Sequence, residues 1–176
     1  MKRQVVNAAA LLVVGMTGSA FADAPVRTMN EIDVTFPEGM VSDTCGIPVF
    51  LTIRGTFKVT LFRDRDGNVV REIDTGPGVK LTYANDSGQS ISFPGAGVLH
   101  TDYSSGVTPG SPVTLVFTGN TGPFTGLAGP GTGRLVLAGD VVEVVDGVPF
   151  TEFTELISAS GNFSTQTERI CAALTG

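Results

Sequence analysis

The sequence predicts an all-β protein, an antiparallel meander closed as a β-barrel, with a β-sandwich as the second choice and a short C-terminal helix. Three observations predict it. Short runs of β-branched and aromatic residues recur at near-even spacing from residue 31 onward, separated by turns built from Gly, Pro, Asn and Asp. No amphipathic helix separates the runs, which excludes parallel βαβ units. Finally, Cys45 and Cys171 stand towards opposite ends of the chain, and a bridge between them would bring the first and last elements together. Closing a sheet into a barrel gives that adjacency directly, although a sandwich can also achieve it.

The leader comes first. Lys2 and Arg3 precede an apolar run over 5–14, and Ala20 and Ala22 supply the small residues of a cleavage site, so residues 1–22 read as a secretory signal peptide. Residues 23–30 contain Pro25 and read as a flexible N-terminal arm. A single β domain over 31–176 follows. Residues 31–36 alternate polar and apolar side chains, the period of a half-buried strand. Residues 49–63 are rich in Val, Ile, Thr and Phe, with Gly55 marking a bulge or bend. The turn at 64–68 leads into a strand at 69–74, and the turn containing Gly76 and Gly78 leads into 79–84. Asn85 and Gly88 bracket the next turn, before a strand at 89–93. Strands at 98–103, 113–118, 134–145 and 150–163 complete the series. Helical character is confined to 165–174, where Ile170, Ala173 and Leu174 have suitable spacing without an internal Gly or Pro. The glycine-rich stretch 119–133 reads as a functional rim loop or as a plain surface connection.

Charge narrows the function classes. The chain carries 11 basic and 17 acidic residues, a formal charge of −6, which becomes −8 once Lys2 and Arg3 leave with the leader. An acidic chain without basic clusters excludes nucleic acid and anionic membrane as expected partners. Beyond the leader, no apolar run approaches the roughly 20 residues of a spanning helix. The mature protein is expected to be secreted and extracellular, where an oxidising environment favours pairing of Cys45 with Cys171. Two free thiols or a dimer bridge are the other possibilities for an even pair. Two thiolates and a single histidine do not complete a zinc shell, and no other metal or cofactor is expected.

The candidate chemistry is sparse. Gly129, Gly131 and Gly133 suggest a nucleotide loop, but the strand-like 134–137 follows where a helix would have to start. Asp64, Asp66 and Asn68 resemble the start of a calcium loop, whose twelfth position would require Glu and instead holds Thr75, so a hairpin turn is the better reading. His100, two residues from Asp102 on one strand face, is a candidate acid/base with no nucleophile elbow to serve. Glu143 and Glu155 are the remaining candidates. Strict alternation gives Glu143 the face of Val141 and Val145, and Glu155 the face of Phe153 and Ile157. The hairpin joining their strands would then set two carboxylates side by side in a barrel interior, with raised pKa values. With the opposite faces inward, both would simply meet water.

From Cys45-Gly46-Ile47-Pro48-Val49 onward the chain resembles uncharacterised secreted actinobacterial proteins with a Cys-Gly-Phe-Pro-Val-like opening. The matching segments are 81–88, Val116-Phe117-Thr118-Gly119, and the C-terminal Arg169-Ile170-Cys171-Ala172-Ala173-Leu174. Ile47 departs from the aromatic usual there. The resemblance implies a secreted domain with one terminal disulfide and brings no activity with it. Segments 122–126 and 131–134 are also similar in pattern to barrels of the allene oxide cyclase and dirigent type, a likeness at fold level only.

Two functions follow as expectations. The first is a non-catalytic secreted domain that binds a small apolar ligand or an extracellular protein partner. The alternative is a small β-barrel enzyme of isomerase or cyclase type, acting through interior polar residues such as Glu143, Glu155 or His100. A packed interior favours the first and an open apolar cavity the second.

Overall fold

The computed structural model describes residues 24–103, 106–122, 127–145 and 147–176. The expected signal peptide lies outside the described residues, as does the part of the glycine-rich stretch at 123–126. Among the described residues the chain runs β1 (Val26–Pro37), α1 (Gly39–Cys45), β2 (Phe50–Arg63), β3 (Val69–Thr75), β4 (Lys80–Ala84), β5 (Ser90–Pro94), β6 (Gly97–Asp102), β7 (Pro112–Thr121), β8 (Gly131–Val145), β9 (Val148–Asn162) and α2 (Ser164–Thr175).

Every strand pair is antiparallel, and the nine strands belong to one sheet. β1 covers one edge of β2 for its whole length, from Val26 opposite Leu61 to Pro37 opposite Phe50. The other edge of β2 is shared: β4 pairs with 50–54 and β3 with 58–63. Thus β3 and β4 are two halves of one long strand, broken at a glycine corner. Gly55 makes that corner possible, because a Cβ there would sit 2.4 Å from the carbonyl oxygen of Gly78. β5 and β6 divide in the same way beside it, so the chain is in effect a seven-strand meander bent across its middle. The turn at 64–68 is an Asx turn: Asp64 Oδ1 accepts from the backbone N–H of Asp66 and of Asn68, both at 2.9 Å. These bonds, with that from the Asn68 side chain foremost, hold the Asp64 carboxyl below its ordinary range.

The inner face buries three apolar clusters. Val41, Val49, Leu51, Leu81, Tyr83 and Phe93 receive Ile170 and Leu174 from α2. Leu61, Val69, Tyr103, Val113 and Val141 form the second, and Leu115, Phe117, Ala128, Leu135 and Leu137 the third. The spacing of Ile170 and Leu174 at i, i+4 is what turns one stripe of α2 onto the sheet. Asn85 Nδ2 donates to the carbonyl of Leu174 at 2.7 Å and ties down the end of that helix.

The all-β class, the meander order and the C-terminal helix agree with the expectation, but barrel closure does not. β1 and β9 are the two ends of the meander, and neither pairs with the other. Nor are the strands divided between two separate sheets. The disulfide expected to signal closure does exist, joining Cys45 to Cys171. However, Cys45 ends α1 rather than beginning a strand, and Cys171 lies within α2. The chain ends meet because α2 folds back over the inner face onto α1, which requires no closed sheet. A second difference lies at the N-terminus. Residues 26–30, expected in a flexible arm, pair with 57–61 of β2.

Candidate functional site

The three residues singled out from sequence do not converge. His100, Glu143 and Glu155 are all exposed, and β7 and β8 separate the strand of His100 from that of Glu155. His100 lines a shallow outer depression with Arg71, Asp102 and Thr114. Alternation fails for the glutamates because the β8–β9 register shifts three times, leaving Val142, Thr154 and Ile157 without partners across the ladder. Phe153 stands opposite buried Gly139 on the inner side, but with Thr154 skipped the next pair is Glu155 with Ala138 on the outer side. Val142 does the same for Glu143, which stands opposite Phe150 while Val144 returns to the core. The expectation of a shared interior pair is corrected accordingly.

What the bulges create is an acidic outer hairpin. Asp140 stands directly opposite Glu152, and Glu155 follows on the same side; with Glu143 these four carboxylates are all exposed. Like charges opposed across a strand pair repel. Beyond them, every residue from Thr154 to Asn162 is exposed, including Leu156 at 36% and Ile157 at 53%, and no strand among the described residues pairs with the far edge of β9.

A second polar group lies inside. Pairing of β2 with β3 skips Val70, and this single bulge turns Glu72 and Asp74 inward, opposite Leu61 and Val59. On their other side stand Thr101 and Leu99 of β6. Tyr103, 3% exposed, donates its O–H to Glu72 Oε2 at 3.1 Å. Asp74 Oδ1 is buried without a hydrogen-bond partner. Burial first, then the charge of Glu72 and the hydrogen bond to it, push the Asp74 carboxyl up to about 8. Burial and the same carboxylate hold the Tyr103 phenol above its ordinary range. Sequence reading missed this group, because the only signal is Glu-x-Asp in a strand whose other positions are equally compatible with either face.

A third place is structural. Glu38, 5% exposed, caps α1 by accepting from the backbone N–H of Met40 at 3.1 Å and of Val41. Burial raises its carboxyl, and the two backbone bonds oppose that rise. Nearby, the fully buried Tyr83 hydroxyl has no partner.

Among the described residues, no group of three or more His, Cys, Asp and Glu is arranged to hold a metal ion, and no helix is long and apolar enough to cross a membrane. Comparison with known protein families, with curated proteins and with solved structures returned no match to this chain.

Proposed function

We propose that this is a secreted, non-catalytic binding module that captures an extended, positively charged segment of an extracellular partner protein along the free edge of β9. The observation that carries the reading is the outer end of the sheet: nine consecutive exposed residues, 154–162, on an unpaired edge beside Asp140, Glu143, Glu152 and Glu155. An edge strand presents a row of unpaired N–H and C=O groups to which an extended peptide adds as a further strand. Four outward carboxylates select a partner with Lys or Arg and steer its approach. A protein partner is preferred to a small apolar ligand because the inner apolar face is already filled by three side-chain clusters and by α2.

An enzyme acting through interior polar residues would have to use the inward Glu72 and Asp74, since His100, Glu143 and Glu155 are exposed. Against it, neither the depression beside His100 nor the one between β1 and β2 includes either carboxylate in its walls.

Titration of the mature protein with an extended peptide alternating Lys and Thr tests the proposal by NMR. Backbone shifts should concentrate on 152–162 and their partners in β8. A Glu-for-Lys version of the peptide should not bind. Glu152→Gln with Glu155→Gln should weaken binding about five-fold or less per site, the scale of exposed ion pairs, with more loss at low salt than at high. Binding of both peptides alike, or shifts located away from β8 and β9, would sink the reading.

A further inference from the structure

The interior carboxyl pair suggests a device that does not depend on the β9 edge. Glu72 and Asp74 project from the middle of the meander into a setting that is mostly apolar among the described residues. β2 presents Val59 and Leu61, β6 presents Leu99 and Thr101 with Tyr103 just beyond its end, and the packed cluster beyond adds Val113, Val141, Val144 and Phe153. Among the described residues the titratable groups facing the pair are Tyr103 and the two carboxyls themselves; Arg63, which shares the Leu61 face of β2, donates from its guanidinium to the carbonyl of Gly67 at 2.7 Å in the turn beyond. Two other neighbouring cations lie on the other side of the sheet. Arg71 stacks over the Phe62 ring at 4.4 Å, and Lys58, opposite Thr75, is exposed.

We propose that Glu72 and Asp74 form one proton-sharing carboxyl pair that latches β3 to β2 and β6, and that loss of the shared proton to solvent releases this part of the sheet. In the latched state Asp74 is the acid and Glu72 the carboxylate. Glu72 then accepts from two donors, Asp74 and the Tyr103 hydroxyl, which satisfies a charge that would otherwise be costly in an apolar setting. When the proton leaves, two negative charges face each other two residues apart on one strand, and the unpartnered Asp74 Oδ1 has no donor to turn to. The hinge is already present, because β3 ends at the glycine corner where the long strand breaks into β4.

The direction with pH follows from linkage. The folded-state value of Asp74 lies above its ordinary value, so the unfolded chain gives up the proton first as pH rises. The latch contributes fully in acid, weakens through the neutral range, and is lost as pH passes about 8. The domain is thus tightest in acidic surroundings and loosens in alkaline ones.

Amide hydrogen exchange of the wild-type protein at pH 6 and pH 9, corrected for the intrinsic exchange rate, reads the latch directly. Protection in 71–75, 58–61 and 98–102 should fall by about tenfold or more relative to β7 and β8, as expected when a proton is lost near one unit below the higher pH. The Asp74 carboxyl carbon should titrate above pH 7. Asp74→Asn, and Glu72→Gln as a second variant, should keep the pH 6 level of protection at pH 9. An Asp74 carboxyl titrating below pH 5, which needs no variant, overturns the proposal. So does an equal loss of protection in either variant.

Discussion

At the scale of single residues, two tyrosines show how satisfaction rather than burial decides what a polar atom contributes. Tyr83 and Tyr103 are 0% and 3% exposed. The Tyr103 hydroxyl bonds Glu72, whereas that of Tyr83 has no partner. Removing an unsatisfied hydroxyl relieves a desolvation cost, but removing a satisfied one strands its acceptor. Tyr83→Phe should therefore be neutral or stabilising, and Tyr103→Phe should cost about 1.5–3 kcal/mol, the range for bonds to charged groups. Urea unfolding at pH 6 measures both. A larger loss for Tyr83→Phe than for Tyr103→Phe would contradict this assignment. None of it was legible in the sequence. Both tyrosines sit in strand-like stretches, and nothing in Leu81-Thr82-Tyr83 or Thr101-Asp102-Tyr103 says which hydroxyl meets a carboxylate. The pairing depends on Val70, one strand away, being skipped.

At the scale of elements, most of the strands were legible and their faces were not. The turns at 64–68 and 85–88 fell where Asp, Asn and Gly require them, and β2, β4, β6 and β8 occupy the expected stretches to within a few residues. Faces failed wherever a bulge intervened, because Val142, Thr154 and Ile157 are ordinary strand formers and carry no mark of being unpaired. The short α1 was missed for a related reason: seven residues are too few for a helical period to emerge. The same hairpin contains a feature that sequence marks only as scattered glycines. Gly133 and Gly161 stand opposite each other, and a Cβ on Gly161 would lie 2.4 Å from the backbone oxygen of Thr132 and 2.5 Å from the Cα of Gly133. These are backbone atoms, so no side chain can yield. Gly161→Ala should cost about 2 kcal/mol or more, from overpacking added to an unfavourable φ. Gly39→Ala, where nothing lies within 4 Å, is the control and should be near neutral or slightly stabilising. Thermal unfolding of the two variants decides the matter. Equal midpoints would mean that β9 is not held this closely to β8.

At the scale of the whole molecule, the disulfide was legible as a bond but not as a piece of topology. An even count and the expected export signal point to a bridge; reading that bridge as barrel closure took Cys45 as the start of an early strand and Cys171 as following the last one. Cys171 does lie in the expected C-terminal helix, but Cys45 ends α1, and α2 packs over the inner face onto α1. This arrangement gives the bond two separate effects. It closes a loop of 126 residues, which in the chain-entropy model stabilises the folded state by about 5 kcal/mol through the unfolded one. It also anchors α2, whose own hold is the burial of Ile170 and Leu174 and the Asn85 bond. Reduction should therefore lower global stability by up to about 5 kcal/mol. It should also expose α2 to exchange before the sheet, since the ladders from β1 to β9 do not involve the cysteines. Urea unfolding with and without reductant, paired with hydrogen exchange over 164–175, separates the two effects. Cys45→Ser with Cys171→Ser should reproduce the reduced protein without added thiol. If reduction instead loosened β1 and β9 as early as α2, the bond would be holding the open sheet together rather than pinning a helix onto it, and the division of roles drawn here would be wrong.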